Sequence, residues 1–586
     1  MELRVKIRAK AKVVVECILI LFWLLFLRDA DSFYAPYLVV GLAGTCLCIH
    51  RYCSEPEALL SRKDYCLTEI FAIAMSCMVL LANYKCFILN GSELGNLKKL
   101  IDALLIFMGG YISFKEILLG LANWSGTENA PRHNCPKDKF IWVGMWAIIV
   151  AVDSFVLFMA VYPGVLTPDS ISQMTQLLEG QYSNHHPYYH TQIIHFWINI
   201  GIWLFNDINA AVALYNCFSI SIMALCFVYV VETVDKITGN RAISLMLFIW
   251  YLIMPFHITY SFTMWKDVFF GAVVTGLVVS VYRYLHEVGR QRINFIVIII
   301  MSLGVCLLRS NGWVAFFLTV IAFTLLYRSK HRKLIITFVS ILVVSFVMKH
   351  QVLGALNVSQ PDTIEALSIP AQQIARVVVD GNELSEEQKE LLEQVVDIER
   401  IPETYANYIS DNIKKLVREK GNQDYIKTHK VEFIKLYFQL GIEHPKSYIK
   451  AWVDQTKGYW NSGYWYWRWY TGITENGLGI EQTVNSEAIS GMLGVYLRLW
   501  EINPVLQLFL SIGLYTWIIL LCAYNSIIKR NKATLLVAIP FLAVIATLII
   551  ATPVYSEFRY AYALFCGAPF VVIMSLSNSK KEKPSL

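Results

Sequence analysis

Charged residues are scarce in this sequence. Only 16% of its 586 residues are charged, whereas 56% are hydrophobic, and the mean hydropathy is +0.49. These values lie outside the range of soluble globular chains. Apolar runs of roughly 17 to 25 residues recur, each long enough to cross about 30 Å of hydrocarbon as a helix. Because lipid leaves exposed backbone unsatisfied, the sequence predicts an all-α polytopic membrane protein.

Motifs for nucleotides, metals and disulfides are also missing. The chain has no Walker loop, no GxGxxG and no CxxC pair, and none of its thirteen cysteines lies between Gln351 and Glu501. This pattern argues against a nucleotide site and against a disulfide framework. An energy-rich substrate would therefore have to arrive in another form. The net charge of +6 comes from short basic loops between apolar runs, which is typical of a membrane protein and predicts no nucleic-acid partner.

The basic loops also predict a topology. With Lys and Arg clusters on the cytoplasmic side, about fourteen transmembrane helices alternate consistently, beginning with an uncleaved span over Val13 to Leu27. The run His190 to Phe205 breaks the alternation and is predicted to be an interfacial helix. The predicted parts are N-terminal spans (1–138), a transmembrane core with an external loop at 162–206 (139–350), an external, mainly helical domain (351–501) and C-terminal spans (502–586).

This topology puts the polar motifs on one face, the external one. They are the loop from Tyr162 to Tyr189, which contains Asp169 at the start of a short helix ending near Gly180, and three short groups near span ends. Those groups are Trp265-Lys266-Asp267, Arg309-Ser310-Asn311 and Glu557-Phe558-Arg559. Cations and carboxylates thus gather at one membrane surface.

Each motif also has an ordinary structural interpretation. Asp169 can simply cap its helix, and His185 and His186 can be surface residues rather than metal ligands or phosphate donors. Lys266, Arg309 and Arg559 can be interfacial anchors. The aromatic run from Tyr459 to Tyr470 can stack on sugars or belong to an interfacial belt.

The segment from Gln351 to Glu501 is predicted to be helical. A capping box at Ser385 to Gln388 opens an acidic amphipathic stretch, and further helices are predicted over Glu403 to Glu419 and Asp424 to Ile442. A domain of this size could cover the loop that carries Asp169.

Two carboxylates within spans favour a different class of protein. Glu116 and Asp153 are the kind of buried acids that mark ion or proton pathways in transporters. They are few and widely separated, and no internal repeat relates the two halves of the chain. A transporter is retained as an alternative.

The order of motifs from Tyr162 to Thr233 resembles the first external loop of polytopic GT-C glycosyltransferases, such as protein O-mannosyltransferases and lipid A aminoarabinose transferases. In those enzymes a span is followed by an Asp-containing interfacial helix, a His/Pro/Tyr turn, a second interfacial helix and another span. The matching positions are Asp169, Ser170 to Glu179, His186-Pro187-Tyr188, and His190 to Phe205. The PDSxxQ pattern from Pro168 is more similar to an uncharacterised bacterial branch. Ser170 stands where better-known members often carry a second acid, which leaves a divalent metal an open question.

The resemblance implies transfer of a sugar from a polyprenyl-phosphate donor to a glycan, lipid or protein acceptor of the cell envelope. It implies a multi-pass protein of a bacterial plasma membrane with its active site outside. Asp169 would act as the base of an inverting displacement, since it is the carboxylate just above the membrane. Lys266, Arg309 and Arg559, assisted by His185 and His186, would bind the donor phosphate. The residues predicted to bind the acceptor or sugar are Gln173, Trp265, Asp267, Tyr464, Trp465 and Trp467, and no residue is assigned to a metal. A flippase for lipid-linked saccharide and a cell-wall polymerase or ligase are the alternatives.

Overall fold

The computed structural model describes residues 2–28, 34–53, 60–88, 92–124, 127–128, 138–328, 330–462, 464, 466 and 468–578. Almost all regular structure in these ranges is helical, as the sequence predicts. The helices are α1 (Glu2–Arg28), α2 (Ala35–Cys53), α3 (Arg62–Ala82), α4 (Glu93–Asn123), α5 (Asp138–Ala160), α6 (Pro168–Glu179), α7 (Tyr188–Phe205), α8 (Ile208–Thr238), α9 (Arg241–Ile253), α10 (Pro255–Ser261), α11 (Lys266–Leu285), α12 (Gln291–Leu307), α13 (Gly312–Tyr327), α14 (Arg332–Val347), α15 (Leu353–Ala355), α16 (Ser368–Val379), α17 (Glu386–Glu393), α18 (Ile401–Thr404), α19 (Asp411–Lys420), α20 (Asp424–Thr428), α21 (Lys430–Glu443), α22 (Pro445–Trp460), α23 (Glu487–Ile502), α24 (Pro504–Gln507), α25 (Ile512–Ile528), α26 (Lys532–Ala551) and α27 (Tyr562–Leu576).

Minor elements complete the described structure. Two short strands, β1 (Thr127–Glu128) and β2 (Ser577–Asn578), form one parallel pair. Single tight turns of helix occur at Tyr84–Phe87, Thr363–Leu367, Ile398–Arg400, Leu508–Leu510 and Phe558–Ala561, and a wider π turn continues α14 over Met348–Val352.

Within the described residues, eight helical stretches are long and apolar enough to span a membrane. They are α3, α4, α5, α8, α11, α14 with its continuation to Ala355, α26, and Phe558–Leu576. Two bent pairs, α9 with α10 (59°) and α24 with α25 (66°), raise the number to ten if each pair is one span. The helices fit a multi-pass membrane protein, but the predicted count of about fourteen is not confirmed. Helices α12 and α13 are apolar yet only 17 and 16 residues long.

Helix α11 lies at the centre of the bundle and is the most buried of these spans. It packs against α8, α12, α26 and α27. Its side chains are apolar or small almost all round, which suits a helix that meets protein on every side. Its first residue, Lys266, and its neighbour Asp267 are therefore held firmly at one end of the bundle, called here the site end.

The first four helices form a separate packed group beside this core. Trp23, Tyr37 and Phe114 meet Trp517 of α25 in one apolar cluster. Gly109 permits the close approach of α4 to α1, since a Cβ at this position would lie 2.4 Å from the Leu19 carbonyl oxygen. Helices α1–α4 thus dock on α25 and do not contribute side chains to the ion-pair cluster described below.

A second core lies in the helical segment between α15 and α22. Its buried residues run from Ile364 to Tyr448, with α16 packed against α18, α19, α21 and α22. The capping box predicted at Ser385 to Gln388 is confirmed, because the two residues exchange hydrogen bonds at the start of α17. The two longer predicted helices are each interrupted, the first between α18 and α19 and the second at His429 between α20 and α21.

The chain before α6 is fastened to the chain before α11. Val165 N donates to the Phe262 carbonyl oxygen at 3.0 Å, and Met264 N donates to the Val165 carbonyl oxygen at 3.1 Å. On the other side, Thr474 N donates to the Leu166 carbonyl oxygen at 2.8 Å. These short backbone pairings bring the N-termini of α6 and α11 together.

Candidate active site at the junction of four chain segments

The start of α6 fixes the position of Asp169. Trp265 Nε1 donates to Thr167 Oγ1 at 2.7 Å, and Ser170 Oγ donates to the Met264 carbonyl oxygen at 2.7 Å. Proline at the first helical position and Gly180 in the left-handed conformation after the last one explain why the helix runs from Pro168 to Glu179, as predicted. The Asp169 carboxylate consequently projects at the site end of the bundle.

Three side chains from other parts of the sequence surround this carboxylate. Asp169 Oδ2 lies 2.8 Å from Arg559 Nη1, 3.2 Å from Lys266 Nζ and 3.8 Å from His186 Nδ1. Burial alone would raise the pKa of Asp169, but the charges of Lys266 and Arg559 outweigh it and hold the pKa well below its usual range. Asp169 is therefore ionised at neutral pH.

His186 is neutral in this arrangement. Burial, followed by the charge of Lys266, lowers the pKa of His186 to about 3. Its Nδ1 lies 3.1 Å from Lys266 Nζ, and an ammonium can only donate, so Nδ1 accepts and the ring proton resides on Nε2. His186 thus orients Lys266 and leaves the positive charge to the lysine.

A second, more deeply buried ion pair lies beside the first. Arg309 Nη1 is 2.7 Å from Asp267 Oδ1, and the Asp267 side chain is completely buried. The same guanidinium donates to the Tyr560 carbonyl oxygen at 3.0 Å and lies over the Tyr560 ring. Arg309 and Asp267 are therefore each other's partners, and neither is among the direct partners of Asp169.

Two further residues, to which the sequence interpretation gave no role, belong to this cluster. Glu557 is buried and its Oε1 lies 3.3 Å from Arg559 Nε. Burial raises the pKa of Glu557 to about 7, although Arg559 acts in the opposite direction. In the sequence, the feature that could have indicated Glu557 was its position next to Phe558 and Arg559.

Lys349, in the π turn that continues α14, donates to the carbonyl oxygens of Arg309 and Ser310 at 3.3 and 3.2 Å. A lone lysine after an apolar run was the only signal for it.

These charged side chains are called the site-end cluster from here on. Its members are Asp169, Lys266, Asp267, Arg309, Lys349, Glu557 and Arg559. The cluster thus contains four cations and three carboxyls, one of which has a pKa of about 7. Lys349 joins it through the backbone carbonyls of Arg309 and Ser310. The N-termini of α6 and α11 also lie at the cluster, and their helix dipoles add positive potential. The cluster carries excess positive charge and is suited to an anion.

Aromatic side chains border the cluster. The Trp265 ring lies 5.1 Å from the Arg559 guanidinium and 5.7 Å, edge to face, from Tyr470. Trp265 is buried, so it serves as a wall rather than as a surface platform. Tyr470 is partly exposed and closes one side.

The other predicted site residues make their described contacts with partners other than Asp169, or lie outside the described structure. Gln173 donates to Thr191 and contacts His190 at 3.1 Å, inside the packing between α6 and α7. His185 is exposed and meets His186 edge to face. Tyr464 is buried against Val453 and Trp460 with Lys457 over its ring. Trp465 and Trp467 lie outside the described residues.

The described side chains do not form a metal centre. In the parts of the chain that the structure describes, no group of three or more His, Cys, Asp or Glu side chains is arranged to hold a metal ion. Around Asp169 the neighbouring groups are an ammonium and a guanidinium, which repel a divalent cation. The groups around Asp169 therefore do not fit a divalent metal ion.

Comparison with known proteins adds one finding. Residues 145–585 match a family of unknown function, DUF6020. The chain belongs to this family. The part that matches DUF6020 begins within α5 and includes every member of the site-end cluster, whereas α1–α4 precede it. No curated protein and no solved structure matches the chain.

Proposed function

We propose that this protein is a membrane glycosyltransferase that moves a sugar from a polyprenyl-phosphate donor to a cell-envelope acceptor. The observation that carries the proposal is that Lys266 and Arg559 both contact one carboxylate oxygen of Asp169 at the site end. An ionised carboxylate beside excess positive charge supplies both a base and a phosphate site. The transfer of a sugar from a lipid phosphate requires that combination.

The donor phosphate would compete with Asp169 for its two cations. Lys266 and Arg559 each carry donors that can reach a phosphate oxygen, and a guanidinium can bind it in bidentate fashion. In the donor complex these charges would be shared, so the pKa of Asp169 would rise from its strongly lowered value. Binding of the donor would thereby make Asp169 a better base.

The reaction would be a single displacement with inversion. The acceptor oxygen forms a bond to the anomeric carbon while the bond from that carbon to the phosphate oxygen breaks. The acceptor proton passes to Asp169, and the bonding electron pair leaves with the lipid phosphate, beside Lys266 and Arg559. Trp265 and Tyr470 would border the sugar on one side.

The site end would face outwards from the plasma membrane of a bacterium. The opposite end of the bundle carries the basic segments from Arg283 to Arg292 and from Arg328 to Lys333, which the positive-inside rule puts in the cytoplasm. A donor that is carried by lipid needs no nucleotide site, in keeping with the absence of such motifs from the sequence.

Transfer of a labelled sugar in proteoliposomes tests the proposal. The intact protein should transfer sugar from a labelled polyprenyl-phosphate sugar, and Asp169→Asn should lower turnover by about 100-fold or more while donor binding persists. Glu179→Gln, on the exposed last position of the same helix, is the matched control and should keep full turnover. Unchanged turnover in Asp169→Asn would remove its role as base. Movement of lipid-linked saccharide across the bilayer without transfer would favour a flippase.

A further inference from the structure

An apolar cavity lies inside the helical segment between α15 and α22, and its lining includes no member of the site-end cluster. Its volume is about 410 Å³, within the range of roughly 300–1,000 Å³ that small-molecule sites occupy. Its walls come from the turn Thr363–Leu367 and from α16 to α21, and they include Leu367, Ala371, Ile374, Val417 and Phe433. Such a lining offers contacts to hydrocarbon and very few to polar groups.

The cavity opens along α21. Ile434 and Phe438 line it and are nevertheless 57% and 61% exposed, so they form its rim. Val431 and Ile442 continue the same face of the helix at positions that keep the apolar stripe in line, and they are also exposed. A soluble domain rarely exposes to water a continuous apolar stripe that leads into an apolar cavity.

The stripe is close to the membrane-spanning bundle. Helix α22 follows α21 directly and enters the bundle, where Trp452 Nε1 donates to the Ile549 carbonyl oxygen at 2.9 Å and Gln455 Nε2 donates to the Thr552 carbonyl oxygen at 2.7 Å. Ile549 lies in the last turn of the α26 span, and Thr552 directly follows that span. Ile449, in the first turns of α22, is 53% exposed and links the stripe to the bundle.

We propose that this cavity holds the hydrocarbon chain of a membrane lipid, which enters over the exposed face of α21. A hydrocarbon chain matches the apolar lining, and a bilayer beside the rim can supply it. Lys430 at the rim and Lys435 on the same helix are exposed and can meet the phosphate of the headgroup. The chain could belong to a phospholipid or to a polyprenyl phosphate, and the inference does not depend on sugar transfer.

Photolabelling of the full chain in phosphatidylcholine vesicles tests this inference. One sample contains phosphatidylcholine with a diazirine at the end of an acyl chain, and the other a polyprenyl phosphate with a diazirine at the end of its isoprenoid chain. After illumination, mass spectrometry should find the label in residues 363–375 and 430–438 for at least one probe. The probe that labels them identifies the source of the chain. Label confined to the spans in both samples would overturn the inference.

Three variants test whether the labelling depends on the cavity and its rim. Ala371→Trp fills the cavity and Phe438→Ser removes an exposed apolar side chain from the rim, and each should lower cavity labelling about tenfold. Phe438→Ser guards against loss of folding, because its side chain is exposed. Gln439→Ser is the control, since this exposed polar side chain on the same helix lies outside both the lining and the apolar stripe, and it should leave cavity labelling unchanged. Equal loss in Gln439→Ser, or no loss in the other two, would overturn the inference.

Discussion

The two ends of helix α11 carry ionic clusters of different kinds. The cluster at the opposite end from Lys266, called here the far-end cluster, comprises Asp138, Glu232, Asp235, Lys236, Arg241 and Arg283. Its three cations and three carboxyls are equal in number, and each cation lies within 4 Å of at least one carboxylate. Arg241 lies 2.5 Å from Asp138 and 3.2 Å from Asp235, and Arg283 donates to Glu232 and to Thr233.

In the site-end cluster, by contrast, cations outnumber carboxyls by four to three. One oxygen of Asp169 is shared by Lys266 and Arg559, Lys349 donates to backbone carbonyls, and the pKa of Glu557 is about 7. Paired charges at the far end join helices α5, α8, α9 and α11. Excess positive charge at the site end has no such structural explanation, because burying it costs free energy. The difference indicates that the site end is built to receive an anion.

The largest effect should come from matched arginine substitutions at the two ends. Arg559→Gln should lower kcat/KM for sugar transfer by about 100-fold, the loss expected when one preorganised charge is removed from a developing anion. Arg241→Gln should leave kcat/KM nearly unchanged and lower the melting temperature instead. Transfer assays and thermal unfolding of both variants check this. Equal losses of transfer in both variants would abolish the distinction between the ends.

Lysine substitutions sharpen the comparison further. Lys349→Met should raise KM for the donor about tenfold with little change in kcat, since Lys349 would contact the phosphate in ground state and transition state alike. Lys333→Met, which removes the far-end ammonium lying 4.2 Å from the Phe295 ring, is the control and should leave KM unchanged. Initial rates over a range of donor concentrations measure both. A fall in kcat alone for Lys349→Met would assign Lys349 a different role.

The pH dependence of donor binding should report Glu557. Below its pKa of about 7 the Glu557 carboxyl is neutral, and Arg559 is free to bind the donor phosphate. Above this pKa the Glu557 carboxylate competes with the phosphate for Arg559. KM for the donor should therefore rise about fivefold between pH 6 and pH 8, as expected of one added charge in a partly screened site. Glu557→Gln should remove this rise. If the rise persists in Glu557→Gln, another group is responsible.

The same carboxyl should influence stability with a defined sign. Its pKa is higher in the folded chain than the ordinary 4.5, so the folded state binds more protons between pH 4.5 and about 7. Stability from this group must then fall as pH rises through that window. Glu557→Gln should be stabilising relative to the intact protein at pH 8 and much less so at pH 5. Melting temperatures at the two pH values measure the difference, and the opposite order would refute the raised pKa.

Local signals in the sequence predicted the local structure near the site. Pro168 and Gly180 gave the limits of α6, and the capping box gave the start of α17, because each acts through neighbouring backbone groups. The helix predicted over Asp424 to Ile442 is interrupted at His429, where no glycine or proline marks the break. Hydrophobic periodicity alone does not locate such a break.

Side-chain pairing could be predicted only in part. The sequence motifs around Asp169, Lys266 and Arg559 are separate, and the predicted topology puts all three at the same end of the bundle. Which partners meet depends on packing between distant helices. Thus Arg309 pairs with Asp267, and Gln173 faces His190. The spacing of residues along the sequence does not predict which of these side chains pair.

The binding of a polyprenyl phosphate and of the matching polyprenol to the intact protein in nanodiscs is the sharpest test of the anion site at the site end. The two ligands share a chain and differ in the phosphate. We expect the phosphate form to bind at least about tenfold more tightly, and Lys266→Met combined with Arg559→Gln to remove this preference. Equal affinities for the two ligands in the intact protein would contradict an anion site at the site end.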